Sequence, residues 1–368
     1  MGPASPRLAL FYACSGHALM HILTGLYLTV VLSLEQSWAV DYDTLISLWT
    51  VGSLMIGLGA PIAGWLGDRW SESRMMAVFF LVTGAGSIAA GLVDSQLAMM
   101  LALAVLGFGA SIYHPVGMSW VVRNAVHRGR ALGILGIAGG LGVALASLIA
   151  AVLTGLVSWR AAFLVPGVVT LGFGIALSWH IARGRVADRK VDVNPDTHRS
   201  TRGDMVRVFL ILTLTMAMAG LSFNALQVAM PKWFELEMSG VVGDGILGIG
   251  GLVTAVYLVS AGAQMIGGIL ADRYSLRAVY LVGLLVYPVL LALASVLANV
   301  PLLLVVMIAV FVSSAATVAE NLLLARYTPS GRRGLAYGLK FVLAFGVAPL
   351  GVQAVAFSYR LSGAFDLL

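Results

Sequence analysis

Cysteine is almost missing from this chain: Cys14 is the only one in 368 residues, which excludes an internal disulfide and any cysteine-built metal site. Charge is nearly as scarce. Asp, Glu, Lys and Arg make up 10% of the residues against 60% hydrophobic ones, and mean hydropathy is +0.97. That is more apolar surface than a water-soluble domain can bury, so a soluble helical protein is excluded and a bilayer is required. Acidic residues are the scarcer sign, 16 against 22 basic, for a net charge of +6. In a soluble chain such an excess would raise the question of nucleic acid. Here the positions of the basic residues explain it differently, and no nucleic-acid partner is expected. There is no His-Glu-x-x-His signature and no nucleophile–base set, so an enzyme is not expected. Nor is a cleavable leader expected: the first apolar run is long enough to span a membrane and leads into more of its kind.

What the sequence has in quantity is membrane-length apolar runs. A spanning helix needs about 20 mostly apolar residues. Runs broken at charges fall near 8–32, 44–66, 75–93, 96–122, 130–157, 160–181, 206–231, 245–271, 277–297, 300–325 and 333–357. The predicted fold class is therefore an all-α membrane protein with eleven spans. The one long polar connection predicts three parts: a six-helix bundle over 1–182, a cytoplasmic linker over 183–207 and a five-helix bundle over 208–368. A six-plus-six arrangement needs one more span after Arg360, so the reading expects a truncated chain or a variant lacking its last helix.

Lys and Arg set the orientation. With a cytoplasmic N-terminus, 18 of the 22 basic residues fall on the inside, while the outside connections carry Glu35, Asp41, Asp43, Asp94, Glu235, Glu237 and Asp244. Retention of positive charge in the cytoplasm predicts this topology, in an inner membrane.

Two stretches read as one sentence written twice, 204 residues apart: Gly64-Trp-Leu-Gly-Asp68-Arg69 with Arg74, and Gly268-Ile-Leu-Ala-Asp272-Arg273 with Arg277. Each sits at the end of an apolar run, and such an echo marks repeated bundles. Together with the long middle linker, these loops resemble those of the major facilitator superfamily of secondary transporters, whose pattern is G-x-L-x-D-R-x-G-R-K. Ser71 and Ser275 stand at its second glycine. The small Gly allows close helix contact, and the Asp at a helix end can pair with Arg residues in one state of a transporter, which gives these residues a gating role.

A narrower resemblance lies at Gly107-x-Gly109, His114-Pro115 and the glycine-rich run through Gly136 and Gly140. It is similar to the fosmidomycin-resistance branch of drug exporters, which also carries a His in helix 1, where His17 stands. Val116 occupies a position that is often acidic there, and His21 another. The resemblance implies alternating access, with helices 1, 4, 7 and 10 lining a central cavity.

Ionisable groups inside spans usually face a cavity or a partner. His17, His21, His114, Glu320 and Lys340 qualify. His17 and His114 lie at similar depth, roughly 12–14 Å from the cytoplasmic end. His21 shares the face of His17 through i,i+4 spacing. An imidazole can carry a proton in each cycle or hold an anion when charged, or it can be a neutral interhelical link. His-x-x-x-His can also chelate, but no third ligand is close in sequence, so neither a metal nor another cofactor is expected. Glu320 and Lys340 also agree in depth. They form either a switchable or a static pair. Asn321, Asn224 and Gln227 can hydrogen-bond a polar ligand or act as interhelical glue.

The reading is a monomeric, proton-coupled exporter of a small polar or anionic compound, its partners being that substrate, protons and the bilayer. Uptake of a small organic acid or sugar-like solute is the alternative, and a non-transporting sensor a further one.

Overall fold

A computed structural model of the chain describes residues 5–124, 128–186, 188, 202–242, 245–327, 340, 342–344 and 346–365. Eleven helices among these are long and apolar enough to cross a membrane: α1 (Pro6–Trp38), α2 (Tyr42–Arg69), α3 (Glu72–Leu92), α4 (Gln96–Asn124), α5 (Ala131–Leu156), α6 (Trp159–Ala182), α7 (Arg207–Glu237), α8 (Ile246–Arg273), α9 (Leu276–Ala294), α10 (Asn299–Leu324) and α11 (Val342–Ser362). The fold is all-α, as the apolar runs predict, and the chain is a multi-pass membrane protein. Most of the expected linker 183–207, and the start of the run predicted at 333, lie outside the described residues.

The spans run further than a reading that stops at charge. α1 continues through Glu35 to Trp38, and α7 through Pro231 and Lys232 to Glu237. The reason is pairing: Lys232 Nζ lies 2.7 Å from Glu35 Oε2 and 2.6 Å from Glu235 Oε2, so these charges sit at helix flanks without being left unpartnered.

Helix starts follow local chemistry. Ser71 and Ser275 are N-caps of α3 and α9, with side chains accepting from the N–H of Arg74 and Ala278 at 3.2 Å. This is why serine serves at the positions where the resemblance expects glycine. The Asp188 carboxylate supplements the first cap by accepting from the Ser73 N–H at 2.9 Å.

Among the first six spans, α4 packs on α2 and α3, α3 on α6, and α1 on α5. Among the last five, α8 and α9 pack on α10, and α7 on α11. Contacts between the two groups come from α5 with α8, α2 with α11 and α1 with α7, whereas α4 and α10 make no comparable contact among the described residues.

With little apolar gain available between helices in lipid, close packing does the joining, and small residues permit it. A side chain at Gly107 would fall on the Gly52 carbonyl, one at Gly142 would fall on Ala18, and one at Gly267 would meet the Ala315 carbonyl oxygen 2.5 Å away. The spacing of Gly136 and Gly140 suggests a close crossing, but Gly136 faces open space and Gly140 has only Ala261, at 3.9 Å. The crossing lies instead on the adjacent face of α5, at Gly139 and Gly142 against α1.

Two substitutions separate packing from propensity. Gly107→Val should destabilise the detergent-solubilised protein by about 1–3 kcal/mol through overpacking. Gly172→Ala, on an exposed face of α6 with nothing within 4 Å of the added atom, should be neutral or stabilising by up to about 1 kcal/mol. Thermal melts of both variants beside the parent check this.

Candidate functional site

The two ends of the molecule differ. One carries Arg69, Arg74, Arg123, Arg273 and Arg277, and the other carries Glu35, Asp43, Asp94, Glu235 and Glu237. They are called below the arginine end and the acidic end.

Helices from the two groups are tied together at the acidic end. Lys232 of α7 meets Glu35 of α1 as described, with its ammonium 5.5 Å from the Tyr42 ring centroid and 5.6 Å from that of Tyr359. Arg360 of α11 pairs with Asp43 of α2 at 2.7 Å. Gln353 donates to Thr50 Oγ1 at 2.6 Å, and the Tyr42 hydroxyl to the Val228 carbonyl at 3.3 Å. Sequence reasoning took these charges as markers of topology and missed that they bond across the halves; their matched depth at helix ends was the available signal.

The arrangement loosens towards the arginine end. Along α5 and α8, a Cβ on Gly250 would collide with Ala151, and Thr254 donates to the Ala144 carbonyl at 2.7 Å. Further along, a Cβ on Gly140 would stand 3.9 Å from Ala261, and beyond it one on Gly136, Gly133, Gly262 or Gly268 would have nothing within 4 Å. The expectation that Gly268 makes a close helix contact is therefore not met in this conformation. Gly64, its counterpart, does face a neighbour closely: a Cβ there would come within 3.3 Å of Pro115.

The expected gating residues divide in the same way. Asp68 pairs with Arg123 at the end of α4 at 2.7 Å, and Arg123 also reaches Glu72 at 3.3 Å. Glu72 accepts from Ser119 as well. Arg69 lies over Trp65 at 4.4 Å, and Arg74 near Trp70 at 6.0 Å. In the second copy Asp272 and Arg273 are exposed, and Arg277 donates to the Tyr327 hydroxyl at 3.3 Å. Glu72 and Arg123, which complete the first cluster, were not singled out as site residues from sequence.

Between the ends, three imidazoles meet. His17 and His21 of α1 and His114 of α4 have ring centroids 5.0, 5.4 and 5.6 Å apart pairwise. Each offers a nitrogen within 4.8 Å of the others. His114 arrives because α4 passes through a π-helical turn at Tyr113–Gly117 around Pro115, the kind of irregularity that re-aims side chains at functional positions. His17 is held on three sides. Its Nδ1 donates to the Leu135 carbonyl at 2.8 Å, its ring stacks on Tyr113 at 4.8 Å, and Gly139 leaves room for it where any Cβ would collide. His114 is buried, while His17 and His21 keep partial exposure. The third ligand that sequence proximity could not supply is brought in by the fold.

A second polar group lies among α7, α9, α10 and Lys340, which stands two residues before α11. Lys340 Nζ is 2.5 Å from Glu320 Oε1 and donates to Asn321 Oδ1 at 2.6 Å. The Tyr280 hydroxyl donates to Glu320 Oε2 at 3.0 Å and lies 2.7 Å from Thr215 Oγ1. The pairing expected from matched depth is present, and Tyr280 and Thr215 add partners that the sequence did not suggest. Asn224 donates to Gly220 and Ala344 carbonyls at 2.7 and 3.2 Å and so links α7 to α11. Gln227 is half-buried on α7.

Spans in two groups, tied at one end and parted at the other with polar clusters between, define a polytopic α-helical transporter. The Major Facilitator Superfamily model matches residues 13–252 and again 212–362, and the chain belongs to that family. The Escherichia coli fosmidomycin resistance protein is 26% identical over 354 residues, covering 92% of this chain and 83% of that protein. A Mycobacterium tuberculosis multidrug resistance protein B homolog is 27% identical over 40% of the chain, but the match spans 28% of that protein's length. A probable 4-methylmuconolactone transporter of Cupriavidus pinatubonensis is 28% identical over 44% of the chain and 40% of its own length. A solved bacterial homolog of the human lysosomal transporter Spinster, inward-facing and occupied, superposes with a TM-score of 0.78 at 16% identity, covering 98% of this chain and 85% of that one. This last likeness concerns the fold alone.

The acidic-end tie is testable by itself. Lys232, with its side chain 8% exposed, holds two carboxylates, so Lys232→Met should cost about 3 kcal/mol of stability. It should also raise maleimide labelling of Val228→Cys in a Cys14→Ser background several-fold. Unchanged labelling would remove these residues from any gate.

Proposed function

We propose that this transporter exports a small polar or anionic compound in exchange for protons by alternating access across an inner membrane. The arginine end and the N-terminus face the cytoplasm, and the conformation described is open inward. The observation that carries the reading is the asymmetry between ends: ion pairs join α1 to α7 and α2 to α11 on one side, while α5 and α8 part on the other. The basic residues support the orientation, since positive charge is retained inside. Similarity to the fosmidomycin resistance protein over 92% of the chain supports export.

His17, His21 and His114 form the polar surface that meets cargo on the side of α1 and α4, with Gln227, Asn224 and Asn321 opposite. Coupling rests on Glu320. Its carboxylate faces Lys340, which stands just before α11, and Tyr280 from α9, with Thr215 of α7 behind the phenol. Protonation removes the charge that holds Lys340. The helices around it then gain a second arrangement, which is the bistable element that alternating access requires. On closing at the cytoplasmic side, the loop charges Asp68, Arg69 and Arg74 would approach Asp272, Arg273 and Arg277, with Gly64 and Gly268 allowing the helices together. Uptake of a small organic acid is the second reading, favoured by the resemblance of 44% of the chain to the methylmuconolactone transporter.

Inside-out vesicles with an acidified lumen, with fosmidomycin as the probe, test the first reading. The parent should accumulate it, and Glu320→Gln should lose gradient-driven accumulation at least tenfold while keeping counterflow exchange. Full gradient-driven accumulation by Glu320→Gln would overturn the coupling role. Methylmuconolactone uptake in right-side-out vesicles, without fosmidomycin export, would favour the second reading.

A further inference from the structure

We propose that the imidazoles of His17, His21 and His114 bind a divalent transition-metal ion of the Zn2+ or Co2+ class, leaving one coordination position for an anionic oxygen of the cargo. This rests on the reading above that the triad faces the passage, and it names what the triad recognises.

The donor set is the first argument. Three nitrogen ligands come from two helices, two of them at i,i+4 on α1, and their nearest nitrogens already lie within 4.8 Å of one another. In a tetrahedral site with bonds of about 2.0–2.1 Å, ligand nitrogens stand roughly 3.4 Å apart, so closure asks for about 1.5 Å of side-chain adjustment and no change of helix. All-imidazole ligation suits Zn2+, Co2+, Ni2+ or Cu2+, and it does not suit Mg2+ or Ca2+, which take oxygen.

The second argument is orientation. Metal-bound histidines characteristically donate their other ring N–H to a carbonyl or carboxylate, which fixes the tautomer. His17 does this already. Donation from Nδ1 to the Leu135 carbonyl leaves Nε2 as the nitrogen with a lone pair. Tyr113 stacked on the ring and the bare Gly139 beside it hold that orientation.

The third is charge. No carboxylate belongs to the cluster among the described residues, so a bound M2+ would place two positive charges within a span, where charge is expensive. An anionic fourth ligand relieves that cost. The site therefore favours cargo bearing a carboxylate or phosphonate oxygen, and three protein ligands with an open position are the arrangement that admits one.

The test uses the full chain in detergent, freed of any polyhistidine tag and washed with chelator. Titration with Co2+, followed by visible absorption, should give one tetrahedral site per chain. Zn2+ should displace it, and azide should shift its spectrum by entering the open position. His114→Ala and His21→Gln should each weaken Co2+ binding at least tenfold while eluting as the parent does in gel filtration. Should one variant fail to fold, the other and the parent's stoichiometry decide. Absence of stoichiometric Co2+ binding by the parent, or undiminished binding by the folded variants, overturns the site. A spectrum unmoved by azide overturns the open position. Binding is read without a gradient, so a protein that binds Co2+ but moves no fosmidomycin sinks the export reading and leaves the metal site standing.

Discussion

Hydrocarbon offers no water to a charged or hydrogen-bonding group, so each such group on a span must find its partner within the protein. This makes the few polar side chains of a chain that is 10% charged unusually consequential. Lys232 satisfies two carboxylates and lies against two aromatic faces, and Glu320 accepts from Lys340 and Tyr280. Because Glu35 and Lys232, like Tyr280 and Glu320, stand on different helices, satisfying a charge also fixes how two helices sit. An interaction of this kind is sensitive to a proton or a ligand in a way that apolar packing is not, since removing one charge leaves the other exposed to the full cost of burial. The same physics that restricts charge inside a membrane thus makes the few permitted charges the fastenings between helices.

Glycine supplies the complementary property. Contacts such as Gly107 on Gly52 and Gly142 on Ala18 bring backbones together within each group of helices. The α5–α8 seam is different, because its contact is graded: tight at Gly250, grazing at Gly140, and open at Gly136 and Gly262. Small residues continue along α5 past the point where contact stops. A smooth surface that extends beyond its present contact is what the proposed rocking of one helix group on the other would need.

Much of this was legible in the sequence. The eleven spans and the twofold Asp-Arg loops follow from hydropathy and repetition, and the depth match of Glu320 with Lys340 anticipated their contact. What was not legible required knowing which helix faces which. Glu35 and Lys232 lie 197 residues apart, and nothing local in either says that they pair; each reads as a charge that ends a span, whereas together they extend two spans. His114 could be placed at the depth of His17 by counting, but its arrival beside both His17 and His21 depends on the π-helical turn at Pro115, which shifts the register of α4 in a way no helical wheel reproduces. Gly136 and Gly140 have the spacing of a packing motif, yet the face of α5 that meets α1 carries Gly139, against the His17 ring, and Gly142, against the Ala18 backbone.

The repeat also shows where the two groups of helices have diverged. At an offset of 204 residues Asp272 answers Asp68, Ser275 answers Ser71, and Tyr327 answers Arg123. The caps are retained in both copies, since each must start a helix at a membrane surface. The ion pair is not: Arg123 binds Asp68 and Glu72 within the first group, whereas Tyr327 accepts from Arg277 and leaves Asp272 exposed. The first loop is thus anchored to its own helices, while the second keeps a carboxylate directed at no partner in its own group among the described contacts. In the gate proposed above, closing would not require two sets of ion pairs to break: the first loop would offer a surface already paired, and the second the exposed Asp272 and Arg273 that would dock on it.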